Sequence, residues 1–124
     1  MTAEGLLCRM YLGSNKNQNR LMQGVKHLAE NHSPKEEKPD LYYLYYASQV
    51  FHHVGGEPWD DWNKKMRESL INSQEDSGHA YGSFQPGGTH RENSGGRLYV
   101  TALSVCCLEV YYRHLPLFRQ INLD

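Results

Sequence analysis

The chain has 124 residues and a formal net charge of -1, from thirteen Lys plus Arg against fourteen Asp plus Glu. That length fits one domain with a real core, and the balanced charge excludes recruitment of nucleic acid or an anionic membrane by an overall field, with no local basic patch to replace it. The longest apolar run, Val105 to Val110 with Glu109 inside it, is far short of the roughly 20 residues a spanning helix needs, so a transmembrane segment is excluded.

Five segments read as helices. Thr2 to Leu12 opens with Thr as a candidate N-cap and stops at Gly13. The next, about Asn17 to Asn31, puts Leu21, Val25 and Leu28 on one face, with Gln23, Lys26 and Glu30 outside. The polar stretch from Asn31 to Asp40, with two prolines and mixed charges, favours a turn. Asp40 then caps Leu41 to Val54, "LYYLYYASQVFHHV", which is aromatic nearly all round and is expected to be buried on more than one side. "EPWDDWNKKMRESLINSQ", Glu57 to Gln74, begins with Pro58 at an N1-like position and acidic residues in its first turn, both suited to a helix start. Trp59, Trp62, Met66 and Leu70 recur along it at three- and four-residue steps, largely away from Lys64, Lys65, Arg67 and Glu68. A long loop leads to a fifth helix near Arg97 to Arg113, ended by Leu115-Pro116. The loop's "QPGGTHRENSGG" follows no strand and lacks the P-loop pattern, so it reads as a flexible surface connection.

Helices one, three and five are apolar around most of their circumference, whereas two and four carry one apolar stripe and a charged face. Every second helix is therefore expected to be enclosed by others. Thr2-Ala3 through Leu12 can be laid on Tyr46-Ala47 through Gly55 and on Thr101-Ala102 through Tyr111, and "KHLAEN" at Lys26 on "ESLINS" at Glu68. These offsets suit helix-pair repeats with periods of roughly 40–50 residues, one layer inside and one outside.

"GLLCRMYLG", "YYLYYASQVFHHVGG", "WDDWNKKMRESLINSQ" and "GGRLYVTALSVCCLEVYYRHLP" together resemble the repeats of the squalene cyclase and protein prenyltransferase superfamily, and within it the bacterial prenyltransferase and squalene oxidase repeat proteins. The resemblance spans nearly the whole chain and implies an all-α fold, with inner helices around a cavity and outer helices behind them. Gln74, Gly82 and Phe84 stand as an imperfect counterpart of the family's glutamine-tryptophan motif, with Phe in place of Trp and a longer spacer. In the family that motif ties adjacent outer helices. The Asp-x-Asp-Asp acid of class II cyclases and the Asp-x-Cys zinc pair of prenyltransferases are both missing, so the resemblance implies fold more than activity. Asp60-Asp61 is only a pair, suited to a helix dipole. No cofactor and no metal are expected.

A closed toroid takes about five or six such helix pairs, so this chain is expected to form an open arc, either as the C-terminal part of a longer protein or as a short protein that self-associates through apolar edges. The start, MTAEGLLCRMYLG, lacks the basic segment and cleavage site of a signal peptide. Cys8, Cys106 and Cys107 read as reduced core thiols, since adjacent cysteines on a helix diverge.

Candidate site residues follow from chemistry placed in apolar surroundings. Glu109 lies among Val105, Leu108, Val110 and Tyr112, where a charge is costly unless paired; it either pairs with Arg9 or Arg113, or bonds tyrosines, or faces a cavity as an acid or ligand contact. His52 and His53 diverge on the aromatic third helix, as hydrogen-bonded core histidines or as acid–base groups. The tyrosines, Tyr45 and Tyr99 among them, pack between helices or line an aromatic cavity wall. Three functions are expected to compete: a non-catalytic module binding an apolar or extended ligand on a concave face; a cavity-wall piece of a cyclase or prenyltransferase; and a carbohydrate-active toroid enzyme, which needs Glu109 near a second carboxylate.

Overall fold

The structure is a computed structural model in which residues 2–34 and 40–118 are described. Among these residues the fold is all-α: α1 (Thr2–Tyr11), α2 (Asn19–Asn31), α3 (Leu41–Val54), α4 (Gly56–Ser73), a 3-10 turn (Gly78–Ala80), α5 (His90–Leu108) and the short α6 (Val110–Arg113). Thr2 lies within α1 itself, and most of the charged part of the loop before Asp40, residues 35–39, is outside the described residues.

α3 is the hub. It packs against α1, α4 and α5, while α2 lies chiefly on α1. Its start is fixed twice. The Asp40 carboxylate accepts from the backbone N–H groups of Tyr42 (3.1 Å) and Tyr43 (3.2 Å), satisfying two otherwise unpaired helix donors. From α5, Glu92 Oε1 accepts from Leu41 N–H at 3.2 Å. Along the helix Leu44, Ala47, Val50, Phe51 and Val54 are all buried, as its aromatic and aliphatic sequence requires.

The stripes of α2 and α4 fall where their spacing puts them. Leu21, Val25 and Leu28 are buried, as are Trp62, Met66 and Leu70. Trp62 stacks on Phe51, centroids 4.4 Å apart and planes 16° from parallel, and donates from Nε1 to the buried Ser48 hydroxyl at 3.0 Å. The pair thus gains ring contact without an unpaired indole N–H. Leu28 and Leu70, equivalent in the "KHLAEN" and "ESLINS" alignment, are both wholly buried. Ala3 and Ala47 are also both buried, but Ala102, their third counterpart, is exposed.

The expected enclosure of every second helix holds for α3 and fails for α1 and α5. Leu98 on α5 is 84% exposed, and Tyr11 and Leu12 at the end of α1 are also in solvent. Among the described residues α5 has α3 as its main neighbour and α1 packs chiefly on α2 and α3, so the all-round apolarity of these helices is covered on one side more than on the other. Cys8 is likewise exposed and Cys106 half-buried, leaving Cys107 as the core thiol; all three are free.

The fifth helix also begins earlier than expected. Thr89 caps it, its hydroxyl accepting from Glu92 N–H at 3.3 Å, and the chain is helical from His90. Gly96, at φ +68°, makes the kink that hid this first turn; a left-handed residue inside a helix strongly favours glycine.

Candidate functional site

α3 ends on His52, His53 and Val54, and Gly55 and Gly56 then take φ of +66° and +63°. Two left-handed residues in succession are a glycine geometry. They reverse the chain within one step and bring the first turn of α4 against the last turn of α3. Trp59 meets the His52 ring edge-on there, with centroids 5.1 Å apart and planes at 73°. Trp59, Asn63 and Arg67 succeed one another at four-residue steps and so share one face of α4.

α4 and α5 both pack on α3 without packing closely on each other. Between α4 and the stretch from α6 onward lies a cleft of about 800 Å³, lined by residues that include His52, His53, Trp59, Asn63 and Arg67, with Lys16 from the loop after α1 and, from α6 and the chain after it, Tyr111, Tyr112, His114 and Phe118. That chain crosses the end of α3 and is tied to both histidines. His52 Nε2 bonds the His114 carbonyl oxygen at 2.7 Å, and Leu117 N–H donates to His53 Nδ1 at 3.3 Å.

These bonds set the tautomers. A carbonyl only accepts, so His52 carries its proton on Nε2. A backbone N–H only donates, so His53 Nδ1 is bare and its Nε2 carries the proton toward the Tyr11 hydroxyl oxygen, 3.4 Å away. Burial, with the imidazoles of His52 and His114 close by, lowers His53 to about 4. A ring that must accept a hydrogen bond and sits in that environment stays neutral at ordinary pH. His114 is lowered too, by burial first and then by Arg113 and His52.

Among the described residues two polar atoms of the cleft residues find no hydrogen-bond partner. His52 Nδ1 and Asn63 Oδ1 are both buried without a hydrogen bond, although most buried polar groups have one. Among the described residues no three His, Cys, Asp or Glu side chains are arranged to hold a metal ion.

Glu109 lies elsewhere. It is exposed, at the break between α5 and α6, and is not among the residues lining the cleft. Among the described residues its carboxylate is in no ion pair with Arg9 or Arg113; Arg113 donates instead to Cys106 Sγ at 2.6 Å. The charge avoids desolvation because α5 has an open outer side. Among the described residues the buried carboxylate is Glu92, 1% exposed, which accepts from Leu41 N–H and, at 2.8 Å, from Gly87 N–H.

Tyr45 is half-buried and edge-on to Tyr46 at 5.1 Å, on the face of α3 turned away from Phe51, and Tyr99 packs against the core from α5. Neither reaches the cleft. Gln74, Gly82 and Phe84 do come together: Gln74 Nε2 donates to the Gly82 carbonyl at 2.8 Å, Gln74 and Phe84 form an isolated antiparallel bridge, and the buried Phe84 donates its N–H to Thr101 Oγ1 at 3.1 Å. They tie the end of α4 to α5.

No family model, no curated protein and no solved structure matches this chain.

Proposed function

We propose that this chain is a helix-pair repeat module, non-catalytic by itself, that binds a small polar molecule in the cleft between α4 and the chain following α6. The observation that carries this reading is the fixed polar floor of the cleft. His52 and His53 are each held in one tautomer by the backbone of the crossing chain, and Trp59 packs on His52. A floor already ordered before binding loses little entropy when a ligand arrives. Both nitrogens of His53 are engaged in hydrogen bonds within the fold, which favours binding over acid–base chemistry.

The resemblance to the squalene cyclase and prenyltransferase superfamily remains the reading for the architecture. Its support is the succession in which α3 contacts both α1 and α5, with α2 packed on α1 and α4 on α3, together with apolar side chains such as Leu98 and Val105 in solvent on α5, where a further repeat or a second copy would pack. A second reading keeps an apolar or extended ligand. Tyr42, Tyr45 and Tyr46, at three- and four-residue spacing on α3, favour it, being half-buried on a face turned away from Phe51.

The chain has two tryptophans, and only Trp59 lines the cleft. With Trp62→Phe, Trp59 becomes the sole reporter. Polar acids and polyols should change its emission at saturable concentrations and an isoprenoid alcohol should not. A saturable response to the isoprenoid alone would overturn the polar-ligand reading in favour of the second.

A further inference from the structure

Two adjacent histidines hold the crossing chain, and their bonds respond differently to a proton. His52 donates from Nε2 to the His114 carbonyl; an imidazolium keeps that N–H, so the bond survives protonation of the ring. His53 instead accepts from Leu117 N–H at Nδ1. A proton on Nδ1 removes the lone pair and sets one N–H against another, while Nε2 still faces the Tyr11 hydroxyl. One bond is a fixed hinge; the other closes only on the neutral ring.

The surroundings bias the second bond against acid. The His53 ring is buried, with the His52 and His114 rings 5.9 and 6.2 Å away between centroids. Tyr11 faces it from α1, Trp59 of α4 lies against His52, and Lys16, Asp60 and Arg67 line the same cleft. Burial first, and then the two imidazoles, lowers His53 from 6.5 to about 4. His114, which lies on the crossing chain itself, is lowered by burial and then by Arg113 and His52. Opening the chain brings water to both rings and returns them toward their ordinary values, so protons favour the open arrangement.

We propose that His53 is an acid-released latch on the wall of the cleft: a proton on Nδ1 frees Leu117 and Phe118, while the bond from His52 keeps the chain attached at His114. Phe118 lines the cleft and packs against the core, so its departure opens the cleft on that side. The consequence for a bound molecule rests on the reading of the cleft as a ligand site: the molecule is held near neutral pH and let go in acid.

Amide hydrogen exchange of the whole chain needs no ligand, so it tests the latch separately from the cleft reading. Dividing out the intrinsic rate at each pH leaves the protection of Leu117. Opening that returns His53 toward 6.5 should lower this protection about tenfold between about pH 7.5 and about pH 5.5. At both pH values Leu117 should be less protected than Val50, which is buried in α3. Equal protection of the two amides would mean that the chain leaves only with global unfolding, and protection of Leu117 that ignores pH would mean that no titrating group holds it; either result overturns the proposal. In His53→Gln the side-chain oxygen can still accept from Leu117 and does not titrate, so most of the pH dependence should vanish. A tenfold loss that persists in this variant would assign the effect to another group and overturn the latch. The wild-type ring supplies a check that needs no variant: His53 should stay neutral at about pH 5.5 in the closed chain, and a ring that titrates at its ordinary value would show that the closed latch excludes no proton, which also overturns it.

Discussion

His52 donates from Nε2 to the backbone carbonyl of His114 at 2.7 Å, across 62 residues of sequence. The bond anchors the chain that walls the cleft, and Leu117 is held next to it by His53. His52→Phe keeps a ring against Trp59 and removes the donor. A net contribution of about 1–1.5 kcal/mol for such a bond corresponds to roughly tenfold faster local opening. Amide hydrogen exchange at Leu117 should accelerate by that factor, and an unchanged rate would show that the crossing chain is held by other contacts.

Stability should depend on pH through His53. Its folded value is lowered to about 4 from the ordinary 6.5, by burial first and then by His52 and His114; the Tyr11 hydroxyl faces it from α1. As pH falls the unfolded chain takes the proton first. The stability contributed by the neutral ring is therefore complete above about 6.5 and is lost progressively as pH drops toward 4. After allowance for solvent screening the loss is on the order of 1–2 kcal/mol. Melting curves between those limits should be steeper in pH for the wild type than for His53→Gln, whose side chain does not titrate in this range; parallel curves would contradict the assignment.

Glu92 joins α5 to the start of α3 and to the loop at Gly87. Glu92→Ala leaves two backbone donors without this acceptor and should cost roughly 2–4 kcal/mol in chemical denaturation. Glu92→Gln should cost less, because one amide oxygen still accepts. Equal losses in the two variants would mean that packing, rather than hydrogen bonding, dominates at this position.

Much of this arrangement was legible in the residues. Asp40 before an apolar run is a cap because its carboxylate reaches the first free N–H groups, and the stripes of α2 and α4 follow helical spacing. The start of α5 was written too, as Thr89-His90-Arg91-Glu92, a Thr followed three residues on by Glu, but Gly95-Gly96 made it read as loop. All-round apolarity misled at α5 and Glu109, since it says that a helix has no polar face and not that neighbours exist to cover it. The cleft was half legible. His52 and His53 stand out, whereas Trp59 reads as part of the core stripe of Trp62, Met66 and Leu70, Arg67 as part of the charged face, and Asn63 carries no mark of its own. Their common four-residue spacing was the available signal. Only the fold brings His114 to them.

Two glycines should respond oppositely to alanine. A Cβ at Gly24 would lie 2.6 Å from Leu6 Cδ2, and Leu6 is buried, so either the Leu6 side chain turns into an already packed core or the α1–α2 contact opens; Gly24→Ala should cost about 1–3 kcal/mol. At Gly5 nothing lies within 4 Å, so Gly5→Ala should stabilise α1 by about 0.5–1 kcal/mol. Thermal melts of the two variants check the sign, and a Gly24→Ala as stable as the wild type would show that Leu6 turns aside without cost.

Long-range nitrogen–proton correlation spectra of the histidine rings, with and without a polar compound that changes Trp59 emission, test the central claim most directly. His52 should show a protonated Nε2 and a bare Nδ1, His53 a bare Nδ1 and a protonated Nε2, and the compound should shift the resonances of both rings without changing either tautomer. A proton on Nδ1 of either ring in the free protein, or ring resonances indifferent to the saturating compound, would contradict the account.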